Sequence, residues 1–218
     1  MRALVLEKKL ELRLRDIDLP NEIGPDDVKI KMHTVGICGS DIHYYEHGKI
    51  GQWKVNEPMV LGHEGSGTIT DVGKNEKILK IGDRVCVEPQ VVSKKTKEYK
   101  LGIYNYDQAV KFWATPPIHG CLTPEVIFPG DMVFKIPENI SYSEGAMVEP
   151  IAVGMQAVTK ASIKPGQIGL VMGCGPIGLV TALAALAGGC STVYIADIVS
   201  EKLETCEHYP DLIPIDLT

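Results

Sequence analysis

The feature that most constrains the fold of this 218-residue chain is Gly173-Cys174-Gly175-Pro176-Ile177-Gly178, together with what flanks it. Before it runs Ile168-Gly169-Leu170-Val171-Met172, an apolar stretch that predicts a buried strand; after it, Pro176 to Leu186 predicts a helix with proline in its first turn. Val193 to Ala196 predicts a second strand, closed by Asp197, 24 residues beyond Gly173, and Ser200 is expected to cap a further helix. Strand, glycine-rich turn, helix and strand make a βαβ unit, the start of a parallel sheet in an α/β fold.

The glycine spacing is G-x-G-x-x-G, and physical reasons tie those residue types to dinucleotide binding. Gly173 permits the tight turn, Gly175 lets the backbone approach a pyrophosphate, Gly178 lets helix and strand pack closely, and the helix N-terminus offers N–H groups to the anion. Asp197 is expected to accept hydrogen bonds from ribose hydroxyls and to repel a 2′-phosphate, which points to NAD rather than NADP. Gly173, Gly175, Ile177, Gly178, Asp197 and Lys202 are therefore the candidate coenzyme contacts. Lys202 would lie along the adenosine ribose, with a solvated helix lysine as the plainer alternative. An ordinary packing turn is the plainer reading of the glycines, and strand, helix and acid together weigh against it.

The first part of the chain has a different character. Up to about Lys135 its short alternating segments predict an irregular β domain, a partly open barrel with long loops. Leu4 to Leu6 and Leu10, Leu12 and Leu14 flank Glu7-Lys8-Lys9 as a hairpin, and Val28 to His33 alternates as a half-buried strand should. Gly65 to Gly73 and Gly82 to Val87 follow as further strands. The polar, lysine-rich segment from Gln90 to Asp107 reads as a solvated loop. From Ser141 the pattern turns helical: Ser141 and Glu144 form a capping box, and Ala146 to Val158 has helical length, with Pro150 expected to kink or break it. The expected domains are residues 1–150 and 151–218.

Composition excludes several classes. With 22 Lys and Arg against 28 Asp and Glu, net charge −6, and no basic run, neither a nucleic acid nor an anionic membrane is an expected partner. The longest apolar stretch, Leu179 to Ala187, falls far short of the ~20 residues of a spanning helix. Six cysteines in unrelated contexts fit a reducing compartment, so a soluble, cytoplasmic protein is expected.

A second cluster carries chemistry. Gly36-Ile37-Cys38-Gly39-Ser40-Asp41-Ile42-His43 is followed by Gly62-His63-Glu64-Gly65-Ser66-Gly67, and thiolate, imidazole and carboxylate are ligand types that suit zinc. Alone, Cys38 could be plain core and His63 a hydrogen-bonded structural residue. With G-H-E-x-x-G at Gly62 to Gly67, the sequence resembles the zinc-dependent medium-chain dehydrogenases. His43-Tyr44-Tyr45-Glu46-His47-Gly48, Ala114-Thr115-Pro116-Pro117 and Glu144-Gly145-Ala146-Met147-Val148-Glu149-Pro150 resemble the sorbitol and xylitol dehydrogenase branch, and the likeness runs from Met1 to about Asp216.

That resemblance implies a GroES-like, zinc-binding catalytic domain followed by the beginning of a Rossmann NAD-binding domain. It implies that Cys38 and His63 bind a catalytic zinc with Glu64 completing the set, and that Glu149 is either an alternative ligand or a contact to substrate and zinc-bound water. Tyr44 matches a substrate-contacting tyrosine; its plainer reading is a barrel-surface aromatic. Ser40 and His43 match a proton relay through a ribose hydroxyl, with a capping serine and a surface histidine as the alternatives. Imidazole suits the exit because it titrates near neutral pH. Relatives with a structural zinc carry four cysteines in the lobe corresponding to Gln90 to Lys111; this sequence has none there, so one zinc per chain is expected. Cys86 and Cys121 read as structural, and so do His33, His47, His119 and His208.

The reaction implied is oxidation of a polyol secondary alcohol to a ketose, zinc acting as Lewis acid and NAD as hydride acceptor, in a homotetramer. Related threonine, glucose or alcohol dehydrogenases share the framework, and an inactive fragment is a further reading. Only Ile168 to Thr218, 51 residues, is available for the coenzyme fold, whereas its two halves need well over ~100. The nicotinamide half is therefore expected to be missing, and an exposed sheet edge to accompany its absence.

Overall fold

The leucine alternation at the N-terminus folds as predicted. In the computed structural model, which describes residues 1–218, β1 (Arg2–Lys8) and β2 (Glu11–Asp16) form an antiparallel hairpin, Leu4 opposite Leu14. The chain continues through β3 (Asp27–Gly36), α1 (Gly39–His47), the two-residue strands β4 (Lys49–Ile50), β5 (Trp53–Lys54) and β6 (Met59–Val60), then β7 (Glu64–Val72) and β8 (Arg84–Val87). Next, β9 (Gln90–Val91), α2 (Lys97–Lys100) and β10 (Lys111–Phe112) make a small excursion, before β11 (Glu125–Pro129) and β12 (Val133–Lys135) return to the main sheet.

That sheet is antiparallel, in the order β11-β3-β7-β8-β12, and period-two alternation explains its core. Val28 and Ile30 on β3 are fully buried, with Ile69, Val85 and Phe128 from β7, β8 and β11 in the same cluster. Each such side chain contributes about 1.5–3 kcal/mol through the apolar surface it removes from water. The segment expected to be a solvated loop is buried at both ends, at Gln90 and Asp107, and Gln90 on β9 pairs with Phe112 on β10.

Two compact units result, Met1–Met147 and Val148–Thr218. The predicted capping box closes the first: Ser141 precedes α3 (Tyr142–Ala146), accepting from the Glu144 N–H while the Glu144 carboxylate accepts from the Ser141 N–H. Tyr142 ties α3 to the barrel through its hydroxyl bond with Thr68 at 2.6 Å and the Arg84 guanidinium over its ring.

The helical run expected around Pro150 does break, but earlier, at Met147. The second unit starts with α4 (Val148–Ala161), which places Pro150 in the first turn, where its missing N–H costs nothing. Then come β13 (Ile168–Met172), α5 (Pro176–Ala187), β14 (Thr192–Asp197), α6 (Ser200–Leu203) and β15 (Leu212–Asp216), in a parallel sheet of order β13-β14-β15.

Three expectations change here. The run Ile168 to Met172 is not buried on both faces: α5 covers Gly169, Val171, Val193 and Ile195, while Ile168, Leu170 and Met172 are exposed. A third strand joins the single βαβ unit; Pro214 hides it in the sequence, and is tolerated because β15 is an edge. Ser200 is not a cap. Val199 holds that position, and the Ser200 hydroxyl donates to Asp216 at 2.7 Å. No helix is long and apolar enough to cross a membrane.

Candidate metal centre and coenzyme loop

In the first unit, antiparallel pairing of β3 with β7 sets Gly36 opposite Glu64 and so brings the Cys38 loop against His63 and Glu64. The ligand atoms of Cys38, His63 and Glu64 all lie within 4.8 Å of one another. His63 and Glu64 are buried and Cys38 is half-buried. A Cβ on Gly36 would collide with the Glu64 carboxylate, so glycine there makes the room that the acid occupies.

A residue not singled out in the sequence fastens this arrangement. Buried Asp41 accepts the Cys38 N–H with one carboxylate oxygen, at 3.0 Å, and the Gly62 N–H with the other, at 2.9 Å. It thereby clamps the two ligand-bearing loops together. The signal was present as an acid three residues after Cys38, which caps α1. The Cys38 thiol is held below the ordinary thiol range, first by its hydrogen bond with His63 and then by Ser40; burial pushes the Glu64 carboxyl up. Sulfur, nitrogen and oxygen donors in a half-dry cluster with room made for the carboxylate fit zinc.

His63 also lines a cavity of about 1000 Å³, whose wall includes Ser40, Tyr44, Phe112 and Thr115. Tyr44 is not a barrel-surface aromatic. It is buried against Leu6, Met59 and Leu61, its hydroxyl bonded to Thr115 and its phenol pushed up by burial. Ser40 is the second residue of α1, half-buried, and His43 is exposed with its ring edge-on to His47. Phe112, which the sequence reading passed over, meets the His63 ring edge at 5.4 Å between centroids. Cys86 and Cys121 are buried in the barrel, and His119 accepts the Val60 N–H.

In the second unit, Gly173 has φ +99°, which a side chain rarely tolerates, and a Cβ on Gly178 would collide with the Gly173 carbonyl. Gly178 is thus needed by the turn itself as well as by helix packing. Asp197, at the end of β14, accepts the Cys174 N–H at 2.7 Å and the Val199 N–H at 2.9 Å. These bonds, with the charge of Lys202 nearby, hold its carboxyl below the usual range. Each oxygen keeps a lone pair for a further donor. Ile177 is partly exposed on the first turn of α5, and Lys202 is exposed on α6. Glu149, the second residue of α4, is half-buried. All six cysteines are free thiols; Cys174 and Cys206 approach to 3.7 Å.

Residues 24–138 match the model of the alcohol dehydrogenase GroES-like domain. The chain belongs to this family. Its relatives include D-xylulose reductases and sorbitol dehydrogenases. It is 58% identical to the D-xylulose reductase of Morganella morganii, over 97% of this chain and 62% of that protein. It is 45% identical to the sorbitol dehydrogenase of Rattus norvegicus, over 92% of this chain and 56% of the relative. Among solved structures it superposes on an Escherichia coli oxidoreductase of unknown specificity with a TM-score of 0.92 at 34% identity, covering 99% of this chain and 62% of that one. The chain thus spans less than two thirds of the length of these alcohol dehydrogenase relatives. The first unit is the GroES-like domain, and the parallel strands of the second belong to a Rossmann-type coenzyme fold, part of the length found in those relatives.

Proposed function

We propose that the whole protein is an NAD-linked, zinc-dependent polyol dehydrogenase, oxidising a secondary alcohol of the xylitol or sorbitol class to the ketose with release of one proton. The observation that carries this reading is the Cys38, His63 and Glu64 trio, whose histidine borders a cavity that also presents Ser40 and Tyr44. When bound, zinc polarises an alcohol oxygen and NAD takes up the hydride from its carbon.

The remaining work falls to the chain's own residues. Cys38, His63 and Glu64 hold one catalytic zinc, with no structural zinc in the excursion between β9 and β10; Glu149 serves as an alternative ligand or as a contact to substrate. Asp41 fixes the two loops, so the ligands need no rearrangement. Tyr44, held by Thr115, orients the substrate. The Ser40 hydroxyl would take up the alcohol proton, and His43, which is exposed, would release it to water. Gly173, Gly175, Ile177 and Gly178 receive the pyrophosphate, while Asp197 takes the ribose hydroxyls beside Lys202 and disfavours NADP. A cytoplasmic homotetramer completes the proposal, supported for compartment by the six free thiols.

The test uses the full-length protein: zinc content, NADH and NADPH titration, and reduction of NAD by xylitol, sorbitol, threonine and glucose. One zinc per chain, NADH bound more tightly than NADPH and polyol-dependent turnover are expected. A clear preference for threonine or glucose, or no turnover with zinc and NAD supplied, would overturn the reading.

A further inference from the structure

Glu88 follows β8, and its backbone N–H donates to the Met132 carbonyl at 2.9 Å, which fixes it beside the main sheet. Its half-buried carboxylate accepts from two points of the excursion that begins at β9: one oxygen from the Gln90 side-chain amide, the other from the Tyr104 hydroxyl at 3.2 Å. Tyr104 lies 16 residues beyond Glu88, so one side chain fastens both the entry of the excursion and its far turn. Burial, and then the Glu88 charge, push the Tyr104 phenol up, which keeps it a donor. A further polar tie from this stretch is the surface pair of Lys94 and Asp131, a kind of bridge that holds little.

The entry of the excursion bears on the metal centre through two contacts. Gln90 is buried and stands opposite Phe112 where β9 pairs with β10. The Phe112 ring in turn meets the His63 ring edge-on, and both residues line the cavity of about 1000 Å³. With two residues each, β9 and β10 make a ladder too short to keep its place unaided. A line of direct contacts thus runs from Glu88 through Gln90 and Phe112 to a member of the metal trio, although Glu88 is not part of the cavity wall.

We propose that Glu88 is a positioning residue for the dehydrogenase reaction: by tying down Gln90 and Tyr104 it holds Phe112 against His63 and so sets one wall of the substrate space. The inference rests on the polyol dehydrogenase reading and goes beyond it by naming a group outside the cavity that governs substrate binding. Losing the tie lets β10 shift, and a displaced wall weakens binding of substrate and transition state alike, so KM rises while kcat holds. A merely structural role would instead lower the amount of active protein at constant KM.

Full-length, zinc-loaded protein is compared with its Glu88→Ala, Glu88→Gln, Tyr104→Phe and Phe112→Ala variants, and with the double variant of Glu88→Ala and Phe112→Ala. Glu88→Ala is expected to raise KM for xylitol by about tenfold, with kcat nearly unchanged and zinc content retained. Gln can still accept from Gln90 and donate to the Tyr104 hydroxyl, so Glu88→Gln should keep KM within about threefold of the wild type. Tyr104→Phe loses one bond of two and should fall between them. Because Glu88 acts through Phe112, adding Glu88→Ala to Phe112→Ala should raise KM little further. Hydrogen exchange gives a readout independent of turnover: amides of residues 90–112 should exchange about tenfold faster in Glu88→Ala and near the wild-type rate in Glu88→Gln. Unchanged KM in folded Glu88→Ala, no rescue by Gln, additive effects in the double variant, or unaltered exchange would each overturn the assignment; if Glu88→Ala does not fold, Tyr104→Phe decides. A wild type inactive on every polyol would instead sink the underlying reading and the kinetic role with it, while the exchange result stands or falls separately.

Discussion

The metal trio and the glycine loop solve opposite problems. The trio is assembled from side chains of two segments, Cys38 on one and His63 and Glu64 on the other, and exists only because β3 and β7 pair in one register. The coenzyme loop is a contiguous stretch of backbone, Gly173 to Gly178, whose geometry follows from the absence of side chains. One carboxylate organises each: Asp41 joins two loops, and Asp197 joins a strand end to the loop beside it. Side-chain chemistry is thus concentrated where long-range pairing is needed, and backbone chemistry where local folding suffices.

Substitutions should separate the two. The largest effect is expected from His63→Ala, which removes one of three ligands: zinc content should fall toward zero and polyol turnover by about a thousandfold or more, the several kcal/mol a Lewis acid supplies. Retention of zinc, read by atomic absorption on dialysed protein, would break the ligand assignment.

Next in size is Asp41→Ala, which leaves the ligands in place and removes their clamp. Metal affinity should drop by about 10–100-fold, as for other outer-shell partners of metal ligands, measured by competition with a chromophoric chelator. Equal affinity would mean that strand pairing alone holds the trio.

Gly178→Ala is the counterpart in the coenzyme loop. Its methyl group meets the Gly173 carbonyl, and relieving that overlap should weaken NADH binding by about tenfold, the effect of 1.4 kcal/mol, while zinc content stays at the wild-type value. NADH fluorescence titration reads the first and metal analysis the second; unaltered NADH affinity would show that the loop has slack.

The smallest effect concerns acid. The Asp197 carboxyl is held below its usual range by the Cys174 and Val199 N–H groups, so the unfolded chain takes up this proton first as pH falls. Its contribution to stability is present above the ordinary carboxylate range, about 3.9, and is lost as pH falls through the lower folded value. Asp197→Asn should therefore flatten the decline in melting temperature between about pH 5 and pH 3. An identical decline in both proteins would show that Asp197 is not one of the groups responsible.

Legibility in the sequence followed the range of the interactions. The hairpin of β1 and β2, the Ser141 and Glu144 box and the glycine turn depend on neighbours a few residues apart, and all could be read directly. Reading failed where a distant element decided. Pro214 speaks against a strand until its place at the edge of the sheet is known. Ser200 looks like a cap until Asp216 arrives to accept its hydroxyl.

The candidate site divides in the same way. Residue type indicated which side chains can suit a metal and which glycines suit a pyrophosphate, because donor chemistry and the steric freedom of glycine are properties of single residues, and the family resemblance singled out the ligand set. Tertiary structure alone decided that Cys38, His63 and Glu64 converge, that Tyr44 is buried and that Asp41 clamps the loops. It also decided that Asp107, from a segment that reads as solvated, is buried. Each of those outcomes depends on strand register and burial, which are set by contacts between residues far apart in the chain.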